Sequence, residues 1–413
     1  MLRDRVIICL ASAWDYDPTS KHQIMRRLAR HNDIVWVNYH GTRRPGVNLR
    51  DARAAWSALR RALGGVRRVH DSMVQVTPLV IPGTHGGPLH RLHEQLLVTQ
   101  IRRALRGLAS ADRKPVQVWS FAPDVPYLVG RFGEECFVYY CVDEYSEFEG
   151  VDRERTAAAE QELLQRADIV VTTSALLQEG KCRLRPDAHL VRHGVDFEHF
   201  AAAWRRSLPR PADLSGIPEP IFGFFGLIHH WVDCALLAEV ARLRPQYSFV
   251  LLGDAQVDVS ALRALPNVHL LGRRPYKELP AYCRAFAAGM LLFTQTAMTA
   301  HVNPIKMLEY LAAGLGVIST PLPEAERYRG PIRIVESAGE FARACDELRA
   351  GGDLRRREEI SRRVQTESWE SVVERLSRIV LTQLGQAPVG AAADTSVCAE
   401  AFSPALAVAG ATD

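Results

Sequence analysis

The sequence predicts an α/β protein of two Rossmann-like, doubly wound domains. Short apolar runs alternate with longer helical patterns, and this alternation stops at a proline-rich stretch and then restarts. The apolar runs are nearly continuous in β-branched and aromatic residues. That is expected of parallel strands covered by helices on both faces.

In the first half the strand-like runs are VIICLAS (6–12), IVWVNYH (34–40), MVQVTPLV (73–80), VQVWSF (116–121), CFVYYCVD (136–143), DIVVTTS (168–174) and HLVRHGVD (189–196). Helical patterns occupy 20–30, 88–106 and 153–166, the first opening on Ser20 with Gln23 three residues on, a capping-box arrangement. These elements make residues 1–200 the first domain. Pro209, Pro211, Pro218 and Pro220 make 201–220 a linker, because proline suits neither helix interiors nor central strands. The second domain, 221–366, has strand runs at 221–226, 248–253, 267–272, 290–293, 316–320 and 332–337, and helices at 231–244, 276–286 and 304–313. Helical patterns at 338–349 and 353–383 follow, with 367–385 read as a C-terminal helix returning to the first domain. The tail 386–413 lacks Lys and Arg, shows no periodicity and reads as disordered. In such a pair of domains the C-terminal edges of both sheets are expected to line a central cleft, where ligands bind.

The totals narrow the function classes. A length of 413 residues suits two domains, and 47% hydrophobic with 24% charged residues is a globular composition. A net charge of +4 gives no reason to expect nucleic acid. Basic residues do cluster, however: Arg43, Arg44, Arg50, Arg53, Arg60, Arg61, Arg67 and Arg68 are opposed only by Asp51. This region is either a solvated helical face or a contact with phosphate-bearing acceptors or with anionic headgroups of the cytoplasmic membrane. The eight cysteines form no C-x-x-C pair and no zinc spacing, which points to a reducing cytoplasm. VIICL near the start is too short for a signal-peptide core, and no run approaches the ~18 apolar residues of a membrane span.

Chemistry concentrates in HVNPIKMLEYLAAGLGVISTPLP, residues 301–323. Asn303 suits an N-cap, Pro304 the first helical position and Gly314 the residue past the end. The helix N-terminus would then sit at the C-terminal edge of the sheet, which suits a phosphate. Lys306 in the first turn would meet the anion, and Glu309 could accept from two vicinal ribose hydroxyls. The competing reading is an i,i+3 surface pair of Lys306 and Glu309 worth ~0.2–0.5 kcal/mol.

NPIKMLEYLAAGLGVISTPLPE resembles the signature of GT-B glycosyltransferases, family-four-like enzymes (glycosyl transferases group 1) of bacterial surface and exopolysaccharide synthesis. The similarity extends to FGFFGLIHHWVD, FVLLGDAQVD, ALPNVHLLGRRPYKELPAYCRAF, RHGVDFEHF and TESWESVVERL. The resemblance implies the GT-B fold, a nucleotide-sugar donor held by the second domain, and a hexosyltransferase-like, retaining transfer. It places Glu309 on the ribose and Lys306 on the diphosphate, with Tyr276 and the Arg273-Arg274 pair near the base. Two positions depart from the family pattern. His301 stands where the first Glu of E-x7-E contacts the donor sugar, and near Gly226 the two clamp cations are replaced by Leu227 and Asp233.

Transfer also needs a group to take the acceptor's proton. By resemblance Asp143, at the end of CFVYYCVD, is the candidate base or acceptor-orienting residue. A helix cap or loop solvation would also explain it, and Glu144 and Glu147 are neighbouring candidates. Trp14, Asp15, Tyr16 and Asp17 form either a sugar platform or an ordinary turn. His193, in the HGVD turn, is a further cleft candidate. Asp15-Tyr16-Asp17 spells D-x-D, a weak match, and there is no G-x-G-x-x-G, Walker loop or H-E-x-x-H. No metal or other cofactor is expected beyond the NDP-sugar co-substrate, and the acceptor is expected to be lipid-linked or a saccharide. A GT-B-shaped nucleotide-sugar epimerase and a catalytically inactive nucleotide-sugar-binding partner are the alternatives.

Overall fold

A computed structural model describes residues 1–15, 18–39, 65–78, 87–108 and 113–386. Tyr16, Asp17, most of the Arg43–Arg68 stretch and the tail beyond Gln386 lie outside the described residues. The chain divides into two compact units. One holds the described residues of 1–15, 25–192 and 375–386, and the other holds 18–24 and 193–374.

The first unit is built on an eight-stranded sheet of order β3-β4-β2-β1-β5-β6-β7-β8. Its strands are β1 Val6–Ala11, β2 Asp33–Asn38, β3 Val66–His70, β4 Met73–Val76, β5 Val116–Ser120, β6 Cys136–Cys141, β7 Ile169–Thr172 and β8 His189–Leu190. All pairings are parallel except β3–β4. Strand β3, VRRVH, is an exposed edge strand whose Arg67 and Arg68 belong to the basic cluster. It carries no run of apolar residues, so its sequence reads as charged surface. β1 pairs with β2 on one side and β5 on the other, so the strand order reverses there.

The second unit has a parallel six-stranded sheet of order β11-β10-β9-β12-β13-β14. The strands are β9 Ile221–Phe225, β10 Ser248–Leu252, β11 Val268–Leu270, β12 Ala288–Leu291, β13 Gly316–Ser319 and β14 Ile332–Ile334. Along β9, Ile221 and Phe225 enter one core, while Phe222 and Phe224 enter the core on the opposite face. β10 divides in the same way, Val250 and Leu252 against Phe249 and Leu251. Both faces are dry, hence the continuous apolar runs. The order reverses between β9 and β12, and an open α/β sheet binds ligands beyond the strand ends at such a point.

Two boundaries and one cap differ from the sequence reading. The stretch 201–220 is not a free linker between units. Helix Phe197–Arg205 and the turn Ala212–Leu214 bury Phe200, Ala201, Ala203 and Leu214 in the second unit's core, beside Tyr282, Met307 and Leu311. The prolines interrupt regular structure there, but the apolar residues among them still find the core. The helical pattern at 353–383 is two helices, Leu354–Arg362 and Trp369–Gln383, and the second is shared between the units at 374/375. The first helix begins at Ser20 as expected, but a side-chain contact there joins Thr19 to His22, with Thr19 N–H donating to His22 Nδ1 at 3.2 Å and Thr19 Oγ1 3.1 Å from the same nitrogen.

Candidate active site

Beyond β9 the chain turns at Gly226, whose φ of +129° lies outside the range an L side chain favours. Its N–H donates to Leu252 O at 2.8 Å. A Cβ on Gly253, which follows β10, would lie 1.8 Å from Gly226 O. The two backbones therefore pass with no room for side chains. Into the remaining space comes Lys306: a Cβ on Gly226 would stand 2.1 Å from its Cε and 2.6 Å from its Nζ.

Lys306 belongs to helix Ile305–Ala312, which follows β12. Asn303 is not its N-cap. Pro304 takes that place, with φ −77° and ψ 115°, and contributes no side-chain cap. The reason is that extended backbone at Pro304 satisfies its ring and leaves Asn303 one position outside, buried. Lys306 remains in the first turn, where the dipole favours an anion. Gly314 ends the helix as expected, at φ +74°, with Gly314 N–H on Leu311 O and Leu315 N–H on Tyr310 O. Tyr310 fixes the helix to the sheet: its ring packs 4.6 Å from Phe225, and Phe225 N–H donates to its hydroxyl at 3.1 Å.

The expected alternative, an exposed Lys306–Glu309 pair, does not occur. Glu309 is buried at 6% exposure, and Lys306 is half-buried. No hydrogen bond or ion pair reaches the Lys306 ammonium among the described residues; it lies 5.8 Å from the Phe224 ring centroid, on the attractive face of that ring. Burial pushes the Lys306 pKa down, opposed by the charge of Glu309. Burial pushes the Glu309 carboxyl up to about 7, opposed by Lys306 and by the neighbouring Tyr276 hydroxyl, and reinforced by Asp196.

Tyr276, in the turn Tyr276–Glu278, is near enough to influence Glu309 and stacks on His199 at 4.7 Å and 15°. His199 Nε2 lies 3.0 Å from the Tyr276 carbonyl, so Nε2 carries the proton. His199, Phe224 and Asp196 are members of this cluster that sequence reasoning missed, although RHGVDFEHF contains two of them. Arg273 is exposed. Arg274 is committed elsewhere, 2.6 Å from Asp213 and 2.9 Å from the Tyr282 hydroxyl. His301 caps the short helix Ala297–Ala300, and its Nδ1 lies 2.7 Å from Ala297 O. In the loop after Gly226, His229 stacks on Trp231 at 4.3 Å. Asp233, which replaces a family cation, caps helix Cys234–Leu243 by accepting from Leu236 N–H at 2.8 Å.

The remaining candidates belong to other elements. Asp143 lies half-buried two residues beyond β6, at the C-terminal edge of the first unit's sheet. Its neighbours are engaged: Glu144 pairs with Lys181 at 2.8 Å, and Glu147 with Arg153 at 2.5 Å. Trp14 does not present a bare platform. It packs edge-on against Trp36 at 4.9 Å, with the Arg26 guanidinium 5.1 Å from its ring. Asp15 is exposed. His193 belongs to the second unit and is buried; burial, with the charge of Lys21, pushes its pKa down to about 3. It packs 5.9 Å from Trp369.

Residues 219–350, which hold the Gly226–Lys306 contact, match the family model of glycosyl transferases group 1. The chain is a glycosyltransferase of GT-B fold. It is 28% identical over 294 residues to a putative teichuronic acid biosynthesis glycosyltransferase of Bacillus subtilis (strain 168), covering 65% of this chain and 73% of that protein. Anabaena HepE, solved with UDP and glucose, aligns over 92% of this chain and all of its own, with a TM-score of 0.63 at 13% identity. A UDP-forming α,α-trehalose-phosphate synthase from Burkholderia vietnamiensis aligns over 93% of this chain and 98% of its own, with a TM-score of 0.64 at 12% identity. At such identities the solved structures establish the fold. Among the described residues, no helix is long and apolar enough to cross a membrane.

Proposed function

We propose that this glycosyltransferase moves a sugar from a nucleoside diphosphate donor to a saccharide or lipid-linked acceptor in cell-surface or exopolysaccharide assembly. The observation that carries the reading is the Lys306 ammonium lying over the side-chain-free backbone of Gly226 without an ion-pair partner. A diphosphate there would supply the missing counter-charge and accept from the first turn of helix Ile305–Ala312. Lys306 and this helix end then stabilise the charge that develops on the leaving nucleotide. Glu309, one turn on, takes the ribose hydroxyls. His301 faces the donor sugar in place of a family Glu, and Tyr276 with Arg273 flanks the base. Asp143 takes the acceptor's proton. No resident metal is needed for these roles, and the transfer retains the anomeric configuration.

The relative from Bacillus subtilis, a putative enzyme of teichuronic acid synthesis, supports a polymer acceptor, and UDP with glucose in HepE supports a nucleotide-linked donor. The basic stretch from Arg43 to Arg68 would bring the enzyme to the inner face of the cytoplasmic membrane, where a lipid-linked acceptor resides.

Calorimetry of UDP against the wild type, Lys306→Ala and Glu309→Ala tests the donor site. A charge-assisted contact is worth ~1.5–3 kcal/mol, so Lys306→Ala should weaken binding by roughly 10- to 100-fold. Unchanged affinity in both variants refutes the assignment.

A further inference from the structure

The second unit has a cavity of about 470 Å³ at the opposite edge of its sheet. Ile221, the first residue of β9, lines it, whereas Gly226 lies past the other end of that strand, roughly 16 Å away at ~3.3 Å per residue. The donor-site residues described above take no part in it.

Its lining is unusually cationic. Arg210, Arg284, Arg349 and Arg357 face it, with Glu219 the one carboxylate in the wall. Arg210 and Glu219 form an ion pair and cancel. The other three guanidinium groups have no carboxylate within ion-pair distance among the described residues. Arg284 donates to Arg206 O at 2.9 Å, and Arg357 to Phe286 O at 3.0 Å. Carbonyl oxygens satisfy single N–H groups of the five each guanidinium carries, and they leave the charge uncompensated. The ends of neighbouring helices offset part of it, each equivalent to roughly half a negative charge. Asp346, whose charge interacts with Arg349, is already held by Arg244 and Tyr247 at 2.5 and 2.9 Å. Arg357 is half-buried, and its pKa is lowered by burial and by the charge of Arg284. The wall is also open: Gly351, at φ +68°, lacks the Cβ that would stand 3.6 Å from Arg357 Nη2.

Like charges gathered around a concave space raise the energy of the empty protein, and a multivalent anion relieves it. Guanidinium forks match phosphate oxygens in planar, bidentate geometry. We infer that this arginine-lined cavity is a second ligand site, distinct from the donor site, that binds a phosphate-bearing anion. Two sources present that chemistry, a soluble polyphosphate or phosphorylated metabolite and the headgroup of an anionic lipid.

The test uses the full chain carrying Lys306→Ala, so that the donor-side cation does not contribute. Inorganic pyrophosphate is titrated calorimetrically into this protein and into the same protein with Arg349→Glu or Ala350→Glu. Both residues are exposed, and neither side chain holds a hydrogen bond, so the fold is kept. Either charge insertion should weaken pyrophosphate binding about tenfold or more. Flotation with phosphatidylcholine vesicles, with and without phosphatidylglycerol, forms the second arm. Binding to phosphatidylglycerol that Arg349→Glu removes and pyrophosphate competes away identifies a headgroup. Pyrophosphate binding without such flotation identifies a soluble ligand. If pyrophosphate affinity and flotation are the same in all three proteins, the site does not exist.

Discussion

Replacing Glu309 by Gln should flatten a pH dependence that the wild type carries. Its carboxyl is buried beside Lys306 and Tyr276, and burial raises its pKa from an ordinary 4.5 to about 7. Because the folded value lies above the unfolded one, the folded state holds the proton more tightly. The stabilisation is therefore complete below about pH 4.5 and is lost as the pH rises through about 7. At 1.36 kcal/mol for each pH unit, the displacement from 4.5 to about 7 corresponds to about 3 kcal/mol. The wild type should lose this amount relative to Glu309→Gln over that interval, with a constant difference above it. Urea unfolding of both proteins at intervals from roughly pH 4 to 9 reads the difference directly. Taking it at each pH removes every titration the two proteins share, which matters in a chain of two units that need not unfold in one step. Lys306→Met supplies a second check: the cation lowers the Glu309 pKa, so its removal should move the midpoint to higher pH. A wild-type-minus-variant difference that does not change with pH refutes the reasoning.

Two further outcomes concern the transfer machinery. Gly226→Ala would put a Cβ 2.1 Å from Lys306 Cε at a backbone angle that costs ~1–3 kcal/mol for a side-chain-bearing residue. It should lower the melting temperature and reduce UDP affinity to the level of Lys306→Ala, with no further loss when the two are combined; additive losses would mean that Gly226 acts independently of the lysine. Asp143→Asn should bind UDP as the wild type does while transfer falls by roughly 10²–10⁴-fold, the worth of a general base. Normal turnover in that variant removes Asp143 from the chemistry.

Much of the second unit was legible because its constraints are local. Gly314 sits where a left-handed residue must end helix Ile305–Ala312, and the β9 and β10 runs are apolar at every position because two cores claim alternate residues. Lys306 and Glu309 could be picked out by residue type and spacing, but their burial could not, since it depends on Gly226 and Gly253 approaching from other strands. The same holds for Tyr276 and His199, which meet 77 residues apart in sequence. β3 was missed because an exposed edge strand needs no apolar face. The linker was misplaced because proline spacing reports on regular structure, not on where Phe200 and Leu214 bury their surface. The packing of Trp14 by Trp36 and Arg26 was not legible either, because an aromatic beside carboxylates looks the same in sequence whether its ring is open or packed.

The two departures from the family pattern near Gly226 bear on how leaving-group charge would be met. Asp233 has a structural task, capping helix Cys234–Leu243, so it does not stand in for a cation. Leu227 carries no charge. In the second unit the cation at Gly226 comes instead from the helix after β12, and Lys306 is held there by Tyr310, which anchors the same helix one turn later to Phe225. The charge is thus placed by a packed helix rather than by a loop residue, which fixes its position at the cost of redundancy. Under the proposed function a single ammonium group and a helix end carry the work otherwise divided between further cations. Loss of Lys306 should then reduce turnover more than ground-state UDP affinity, because charge on the leaving diphosphate grows toward the transition state. An equal loss in both would mean that the lysine only binds.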